Sequence, residues 1–427
     1  MAAPSTSASD RREGLHTSPK QDGMSSEKEA FSGPFWKTGS ALQPLDGRLL
    51  SLDVFRGVTI AGMILVNNPG SWSHVYPPLQ HAEWHGWTPT DLIFPFFLFI
   101  VGVAIPLAYT KRLARRVPRK ELVGKALKRS GLLFAVGLFM AAYPVVQFDP
   151  TFEWVRPGLG ELRIMGILQR IALCYLAATL LFLYVRFRWQ LYVMGGLLLG
   201  YWAALTLVPV PGYGAGMLDT PEATLPAYVD RLLLGTEHLW QGADQMWDPE
   251  GLLSTLPAIG TTLLGVWVGR LLLNDEASAI TIAKLFVFGT GLVITGAAWD
   301  SVFPINKSLW TSSYVLFTGG WATCAFALCY WFADLRDSHW WTQPFVVYGI
   351  NPLTAFVLST LLTKTFLEIP VVGTRGEAAS PHAVLYETLF LSWASPTNAS
   401  LLYAVAYVIL WYGILLGMYR NGLVIKV

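Results

Sequence analysis

Apolar segments long enough to cross a lipid bilayer recur along most of this 427-residue chain. A helix of roughly 20 apolar residues crosses the hydrocarbon core, where only helices and closed barrels satisfy every backbone polar group. Barrel strands would alternate apolar and polar residues, and these segments do not alternate. We therefore expect an all-α polytopic membrane protein, a bundle of ten transmembrane helices over residues 49–67, 89–109, 127–146, 164–185, 190–208, 252–273, 280–298, 311–333, 345–365 and 400–418.

Composition supports this class and separates one terminal region. The chain is 53% hydrophobic and 14% charged, whereas soluble domains carry about 25% charged residues. Residues 1–47 are rich in Ser, Gly, Lys and Glu, which predicts a disordered cytoplasmic tail before a transmembrane domain over 48–427. Three cysteines, Cys174, Cys324 and Cys329, lie inside apolar segments. They predict buried thiols rather than a disulfide framework or a metal cluster.

The distribution of basic residues predicts the orientation. Residues 111–129, here called the basic segment, hold nine Lys and Arg in nineteen positions. If the basic segment is cytoplasmic, 23 of the 30 Lys and Arg lie nearer the cytoplasmic face and seven lie nearer the other face. Because cytoplasmic loops are enriched in Lys and Arg, we expect both termini in the cytoplasm. The external connections are then 68–88, 147–163, 209–251, 299–310 and 366–399.

The first external connection gathers groups that exchange protons. The stretch LQHAEWHGWTPTDL places His81, His85 and Asp91 directly before the second apolar segment, and His74 lies nearby. A histidine at this position can act as a base toward an amine or hydroxyl arriving from outside. The alternative is an interfacial loop with a tryptophan belt, in which the histidines are merely solvated. No metal site is predicted, because further ligands are not evident.

Polar residues inside or beside the apolar segments form further candidate sites. Arg56 and Arg170 lie within predicted spans, where charges are either functional or paired. Asp53 and Arg56, three residues apart, predict a structural pair, whereas Arg170 is a candidate for contacting an anionic ligand. The basic segment either sets the topology alone or also attracts anionic lipids or a polyphosphate.

Six motifs occur in the order SLDVFRGVTIAGMILVNNPG, HAEWHGWTPTDLIFPFFLFIVG, RIMGILQRIALCY, DPEGLLSTLPAIGTTLLGVWVGRLL, FPINKSLWTSSYVLFTGG and YGINPLTAF. Together they resemble the heparan-α-glucosaminide N-acetyltransferase family of transmembrane enzymes, and the resemblance covers residues 50–427. It implies transfer of acetyl from cytosolic acetyl-CoA to the amine of a glucosamine-type sugar across the membrane. It also implies that His81 is the catalytic histidine, as general base or as acetyl carrier. The family's active-site asparagine falls on Asn67, with the adjacent Asn68 as the alternative.

The resemblance implies roles for the other candidates as well. We expect Arg56, Arg170 and Asn351 to contact acetyl-CoA, and the amide of Asn67 or Asn351 to donate to the developing oxyanion. Sugar hydroxyls are expected to bind the external polar residues Asp248, Glu250, Asn306 and Lys307. For Asp248 and Glu250 the alternative is a turn and helix start, which Asp-Pro-Glu favours.

The expected setting is a multi-pass protein of the bacterial inner membrane, with acetyl as the transferred group and no metal or nucleic acid. The long luminal N-terminal region of the lysosomal members is not in this sequence, so a free amino sugar or a cell-wall fragment is the expected acceptor. A homo-oligomer is compatible with these expectations. Two rival functions are an O-acyltransferase of an envelope glycan and a sugar transporter. Inverted repeats, which many transporters contain, are not visible in the sequence.

Overall fold

The computed structural model describes residues 49–144, 147–148, 154–155, 159–274, 278–336, 340–373 and 378–425. The predicted tail over 1–47 lies outside these residues. The helices are α1 (Leu50–Asn67), α2 (Ile93–Ala114), α3 (Arg119–Ala142), α4 (Ile167–Tyr184), α5 (Phe187–Leu207), α6 (Leu225–Leu234), α7 (Thr255–Asn274), α8 (Ala279–Asp300), α9 (Ser312–Tyr330), α10 (Thr342–Ile350), α11 (Pro352–Glu368), α12 (Pro381–Tyr386) and α13 (Pro396–Arg420). Two antiparallel pairs of two-residue strands are present as well, β1 (Gln147–Phe148) with β2 (Trp154–Val155) and β3 (Val371–Val372) with β4 (Ala378–Ala379), together with short 3-10 and π-helical turns.

The predicted all-α polytopic class is confirmed. Within the described ranges, eight helices are long and apolar enough to cross a membrane, and a ninth is obtained if α10 and α11 form one broken span. The predicted span over 127–146 corresponds to α3, which has 24 residues. Lys125, Lys128 and Arg129 on α3 exceed the charge expected of a spanning helix.

The predicted span over 345–365 is not straight. Helices α10 and α11 meet at an angle of 80°, with Asn351 between them. Pro352 explains the break, because proline has no N–H to donate and disfavours helical conformation in the residue before it. The bend leaves the amide of Asn351 at a junction rather than on the surface of a continuous helix.

Glycines allow close helix contacts in the bundle. A Cβ on Gly102 of α2 would lie 2.0 Å from the carbonyl oxygen of Thr262, and one on Gly265 of α7 would lie 2.1 Å from that of Phe99. Helices in lipid gain little from hydrophobic association, so close backbone approach through small residues is a main source of packing energy. The α2–α7 contact therefore fixes α2, the helix that follows residues 74–88, here called the histidine loop.

Trp310 anchors the connection between α8 and α9. Its side chain is 1% exposed, its Nε1 donates to Thr261 Oγ1 at 3.1 Å, and its ring packs edge-on against Phe94 and Tyr314. The residue adopts a φ of 52°, a left-handed conformation that is uncommon for a large side chain. This buried anchor holds the preceding residues, Asn306 and Lys307, against the histidine loop.

Candidate active site

A short turn at the start of α2 builds the centre of the candidate site. In Thr-Pro-Thr-Asp, Thr88 precedes Pro89 and caps the turn, and Asp91 reaches back in a reciprocal capping box. Asp91 Oδ2 accepts from the backbone N–H of Thr88 at 3.0 Å and from that of Ala82 at 3.0 Å. The sequence of the turn therefore fixes both the Asp91 carboxylate and the backbone next to His81.

His81 and Asp91 form a directly bonded pair. His81 Nδ1 lies 2.7 Å from Asp91 Oδ1, and the side chains of His81 and Asp91 are 46% and 1% exposed. The hydroxyl of Tyr314 donates to the Asp91 backbone carbonyl at 2.5 Å, which ties the turn to α9. Because a carboxylate only accepts hydrogen bonds, Nδ1 is the protonated nitrogen, and in the neutral ring Nε2 keeps its lone pair. The geometry is that of a base with an orienting carboxylate.

Lys307 lies against the same imidazole. Its Nζ is 3.0 Å from His81 Nδ1, 3.2 Å from Nε2 and 3.6 Å from Asp91 Oδ1. Burial lowers the pKa of Lys307, although the charges of Asp91 and Glu250 act to raise it. The predicted sugar ligand Lys307 is thus in contact with the predicted catalytic residue.

A buried charge cluster continues from Lys307. Arg163 donates through Nε and Nη2 to the two carboxylate oxygens of Asp248, at 2.8 and 2.6 Å, and through Nη2 to Glu250 Oε2 at 2.6 Å. Burial alone would raise the pKa of Glu250, but Arg163, Arg170 and Lys307 together lower it. For Asp248, burial outweighs the attraction of Arg163 and raises the pKa. Asp248 and Glu250 are therefore structural partners of Arg163 as well as candidates for binding sugar.

The sequence analysis missed Arg163 as a site residue. It is the first residue of the motif RIMGILQRIALCY, but its partners lie 85 and 87 positions further along the chain. A single arginine on a connection between apolar segments carries no signal for such distant carboxylates. Only the tertiary structure brings them together.

Asn306 shapes the loop that carries Lys307. It is fully buried, its Oδ1 accepts from the backbone N–H of Leu309 at 2.8 Å, and its Nδ2 lies 3.3 Å from His85 Nδ1. His85 Nε2 also lies 2.9 Å from Asp219 Oδ1. The predicted contact of Asn306 with sugar stays a prediction.

The predicted asparagine lies at the end of α1, away from these contacts. Asn67 is exposed and Asn68 is 7% exposed. Asn68 Nδ2 donates to the Ile64 carbonyl at 2.6 Å, and its Oδ1 accepts from Thr363 Oγ1. Within the described residues, no hydrogen bond joins Asn67 or Asn68 to His81. The choice between the two asparagines stays open, although Asn68 is the one held in place.

The residues predicted to contact acetyl-CoA fall in three different places. Arg56 Nη1 donates to Asp53 at 2.9 Å and to the Gly349 carbonyl at 3.2 Å. Arg170 is fully buried in the first turn of α4, where it bonds to the Gly251 carbonyl and Ser254 and lies 5.0 Å from the ring centre of Trp310. Arg170 is therefore next to the Asp248–Glu250 loop and not next to the basic segment.

Asn351, the third of these residues, binds the segment that follows α13. Its Nδ2 donates to the Leu423 carbonyl at 3.0 Å, and its Oδ1 accepts from the Ile425 N–H at 3.0 Å. Both ends of the amide are thus used within the protein. A contact between Asn351 and acetyl-CoA stays a prediction, as does one for Arg170.

Two cavities lie along the bundle. The first, here called the apolar cavity, has a volume of about 290 Å³ and is lined by aliphatic and aromatic residues together with Arg56, Tyr109, Arg129 and Tyr175. The second, the polar cavity, has a volume of about 510 Å³, and its lining includes Glu161, Arg163, Gln169, Trp240 and Lys364. Both are lined by Ile167, Leu168 and Phe356. The two cavities therefore adjoin. Arg129 of the basic segment lines the apolar cavity, and Arg163 lines the polar cavity.

Comparison with known proteins agrees with the arrangement of motifs. A family model described as heparan-alpha-glucosaminide N-acetyltransferase, catalytic, matches residues 48–298, more than half of the chain. Heparan-alpha-glucosaminide N-acetyltransferase of Homo sapiens is 30% identical over 382 residues, which cover 78% of this chain and 56% of that protein. The Mus musculus protein of the same name is 30% identical over 366 residues, 75% of this chain and 54% of its own length. The chain thus spans about half the length of the curated relatives it matches.

Proposed function

Because the chain belongs to the heparan-alpha-glucosaminide N-acetyltransferase family, we propose that it transfers acetyl from acetyl-CoA to the amine of a glucosamine-type amino sugar. The observation that carries the proposal is the pair of His81 and the buried Asp91 at 2.7 Å, in a loop at the start of a membrane-spanning helix. Such a pair supplies a base in a fixed tautomer at the boundary of the bundle.

His81 acts as the general base in this proposal. Asp91 accepts the Nδ1 proton, so Nε2 is directed toward the amine that attacks. The amine nitrogen bonds to the thioester carbon, Nε2 takes the amine proton, and the C–S bond breaks. The CoA thiolate then takes the proton from His81, so the histidine returns to its initial state. Direct attack of this kind needs one acyl transfer, whereas an acetyl-histidine intermediate would need two.

The apolar cavity is the proposed site of the acyl donor arm. Its size and mostly apolar lining suit a flexible chain, and Arg56 and Arg129 supply positive charge. Arg129 also belongs to the basic segment, whose Lys and Arg side chains are exposed. Arginine matches phosphate oxygens in two-point contacts, so this end of the cavity suits the CoA phosphates. Arg170 and Asn351 do not line the apolar cavity, and in this proposal they support the loops around it.

The polar cavity is the proposed entrance for the sugar. Trp240 offers an aromatic face, and Gln169, Glu161 and Arg163 offer polar groups of the kind that bind hydroxyls. Arg163 donates to Glu250, and the charges of Glu250 and Lys307 attract each other. Lys307 in turn contacts His81. The charge distribution favours the periplasmic side of a bacterial inner membrane for this end of the bundle.

The decisive experiment is acetyl transfer by the purified protein in lipid nanodiscs. Free CoA would be measured with acetyl-CoA and a panel of amino sugars, and the products would be analysed by mass spectrometry. We expect sugar-dependent CoA release and an N-acetyl product, and His81→Ala should remove both. His74→Ala is the matched control, because His74 lies on the same loop but contacts Ser71. An O-acetylated product, or CoA release that does not depend on the sugar, would contradict the proposal.

A further inference from the structure

Lys307 places a primary amine at the reaction centre. Its Nζ lies 3.0 Å from His81 Nδ1 and 3.2 Å from Nε2, and Nε2 is the nitrogen with a lone pair when Nδ1–H donates to Asp91. The loop around it is rigidly held, because Asn306 is fully buried and Trp310 is 1% exposed. The lysine amine is therefore in contact with the imidazole that accepts a proton in the proposed transfer.

The surroundings of Lys307 favour its reactive form. The neutral amine is the nucleophile, and burial lowers the pKa of Lys307 and so increases that fraction. Asp91 and Glu250 oppose this by attracting the ammonium form, and Arg170 favours the neutral form. Unlike the exposed lysines of the basic segment, Lys307 combines partial burial with direct contact to a base.

We propose that Lys307 is itself an acetyl acceptor, modified by the protein when no amino sugar occupies the site. The inference rests on the proposed function, because it uses acetyl-CoA as the donor. Any thioester placed for attack with the help of His81 is also within reach of an amine in contact with His81. Nζ bonds to the acetyl carbon, His81 takes the Nζ proton, and the C–S bond breaks. The departing CoA thiolate then takes that proton, leaving acetyl-lysine and CoA thiol.

Acetylation of Lys307 has a direct consequence for catalysis. The amide no longer carries a positive charge, so the attraction to Asp91 and Glu250 is lost. The added acetyl group also takes up space beside the imidazole, which an incoming sugar amine must approach. A sugar amine and Lys307 thus compete for the same base, and the sugar protects the lysine.

The test follows incorporation of isotope-labelled acetyl into each lysine by peptide mass spectrometry. The full-length protein in nanodiscs would be incubated with labelled acetyl-CoA, with and without glucosamine. We expect rapid labelling of Lys307, strong suppression by glucosamine, and a rate about 100-fold lower in His81→Ala, in line with the loss of a general base. Exposed Lys128 and partly buried Lys364 are internal controls, since the Lys364 Nζ is bonded to the Met140 and Tyr143 carbonyls.

The outcomes separate this inference from the proposed function. If glucosamine is acetylated while Lys307 stays unlabelled in its absence, the inference is overturned and the proposed function stands. If neither amine is acetylated, the proposed function fails with it. If Lys307 is labelled no faster than Lys128, or equally fast in a folded His81→Ala protein, the labelling is uncatalysed and the inference is again overturned. Thermal unfolding of the variant would establish that it is folded.

Discussion

Asp91 bonds to His81 through one carboxylate oxygen and to the backbone of the His81 loop through the other. Oδ1 lies 2.7 Å from the imidazole, and Oδ2 accepts from the Ala82 N–H at 3.0 Å. The same carboxylate therefore orients the ring and sets the position of the chain that carries it. Because of this double role, Asp91 is a positioning residue for His81. Replacing its carboxylate by the amide of asparagine should therefore change the rate of acetyl transfer.

Asp91→Asn should lower the rate of acetyl transfer by about 100-fold or more, near the effect of losing the general base. An amide can offer its N–H to Nδ1, which would stabilise the tautomer with the proton on Nε2 and leave no base. The pH–rate profile should also change, whereas a purely structural defect would lower the rate equally at every pH. Asp219→Asn, at an exposed partner of His85, is the control and should have little effect. A full rate in Asp91→Asn would exclude the positioning role.

Arg163→Met should destabilise the protein by about 3 kcal/mol at neutral pH, because it leaves buried carboxylates without their partner. The side chain of Asp248 is 0% exposed and that of Glu250 is 10% exposed. In the native protein Glu250 has a lowered pKa, so its stabilising contribution is present above its usual value of 4.5 and is lost as the pH falls through the lowered value. In the variant both carboxylates must protonate to stay buried, so the stability difference should shrink at acidic pH.

Thermal unfolding in detergent as a function of pH measures this difference. The triple variant Arg163→Met with Asp248→Asn and Glu250→Gln should recover part of the stability, since no unpaired charge is left. If Arg163→Met unfolds like the unmodified protein at every pH, the cluster does not contribute to stability as described. An Arg231→Met control tests another arginine of the same region, one that bonds to backbone carbonyls of Met246 and Glu222.

Asp230→Asn should stabilise the protein, and the gain should grow as the pH rises. Burial, together with repulsion from Asp248, raises the pKa of Asp230 to about 7, although the Leu252 N–H and Arg170 act to lower it. Its Oδ1 accepts from Leu252 N–H at 2.8 Å, while Oδ2 has no hydrogen-bond partner within the described ranges. The folded value exceeds the unfolded one near 3.8, so Asp230 costs stability progressively from about pH 4 to about pH 7.

Asparagine at position 230 keeps an oxygen that can accept from the Leu252 N–H, but it has no carboxyl group to titrate. Each unit between the folded and unfolded pKa values corresponds to about 1.4 kcal/mol. The unfolding temperature of Asp230→Asn should therefore match the unmodified protein near pH 4 and exceed it above pH 7. Asp244→Asn, at an exposed position on the same connection, is the comparison variant. A constant difference at all pH values would contradict the raised pKa.

Hydropathy was sufficient for the fold class, because that signal is local in the chain. Motif order points to His81, whose catalytic role stays a prediction. The cluster around His81 was not predictable in the same way. Lys307 and His81 are 226 positions apart in the sequence. A single sequence gives no information about a contact over such a separation. The break before Pro352 could have been predicted from the local sequence, because proline disfavours helical conformation in the preceding residue. The continuous apolar character of 345–365 instead indicated one straight span.

The orientation prediction can be tested by cysteine labelling in intact cells. Pro78 and Pro118 are both exposed in the structure and lie at opposite ends of α2. In a background without Cys174, Cys324 and Cys329, a membrane-impermeant maleimide should label Pro78→Cys and not Pro118→Cys. Permeabilised cells supply the control, since both positions should then react. Labelling of Pro118→Cys alone in intact cells would invert the proposed orientation.

Asn351→Ala should release the segment 423–425 from the break between α10 and α11. The native amide makes two hydrogen bonds to this segment, to the Leu423 carbonyl and the Ile425 N–H, and Ile425 lines the apolar cavity beside Arg56 and Pro352. Losing the amide removes both bonds, each worth about 1 kcal/mol, and opens the adjacent wall of the cavity. Hydrogen exchange at 423–425 should therefore be about tenfold faster or more in the variant. Asn421→Ala is the matched control, because Asn421 lies two residues before the segment and its side chain donates to the Gly417 carbonyl of α13. Equal exchange in the two variants would show that Asn351 does not hold the segment.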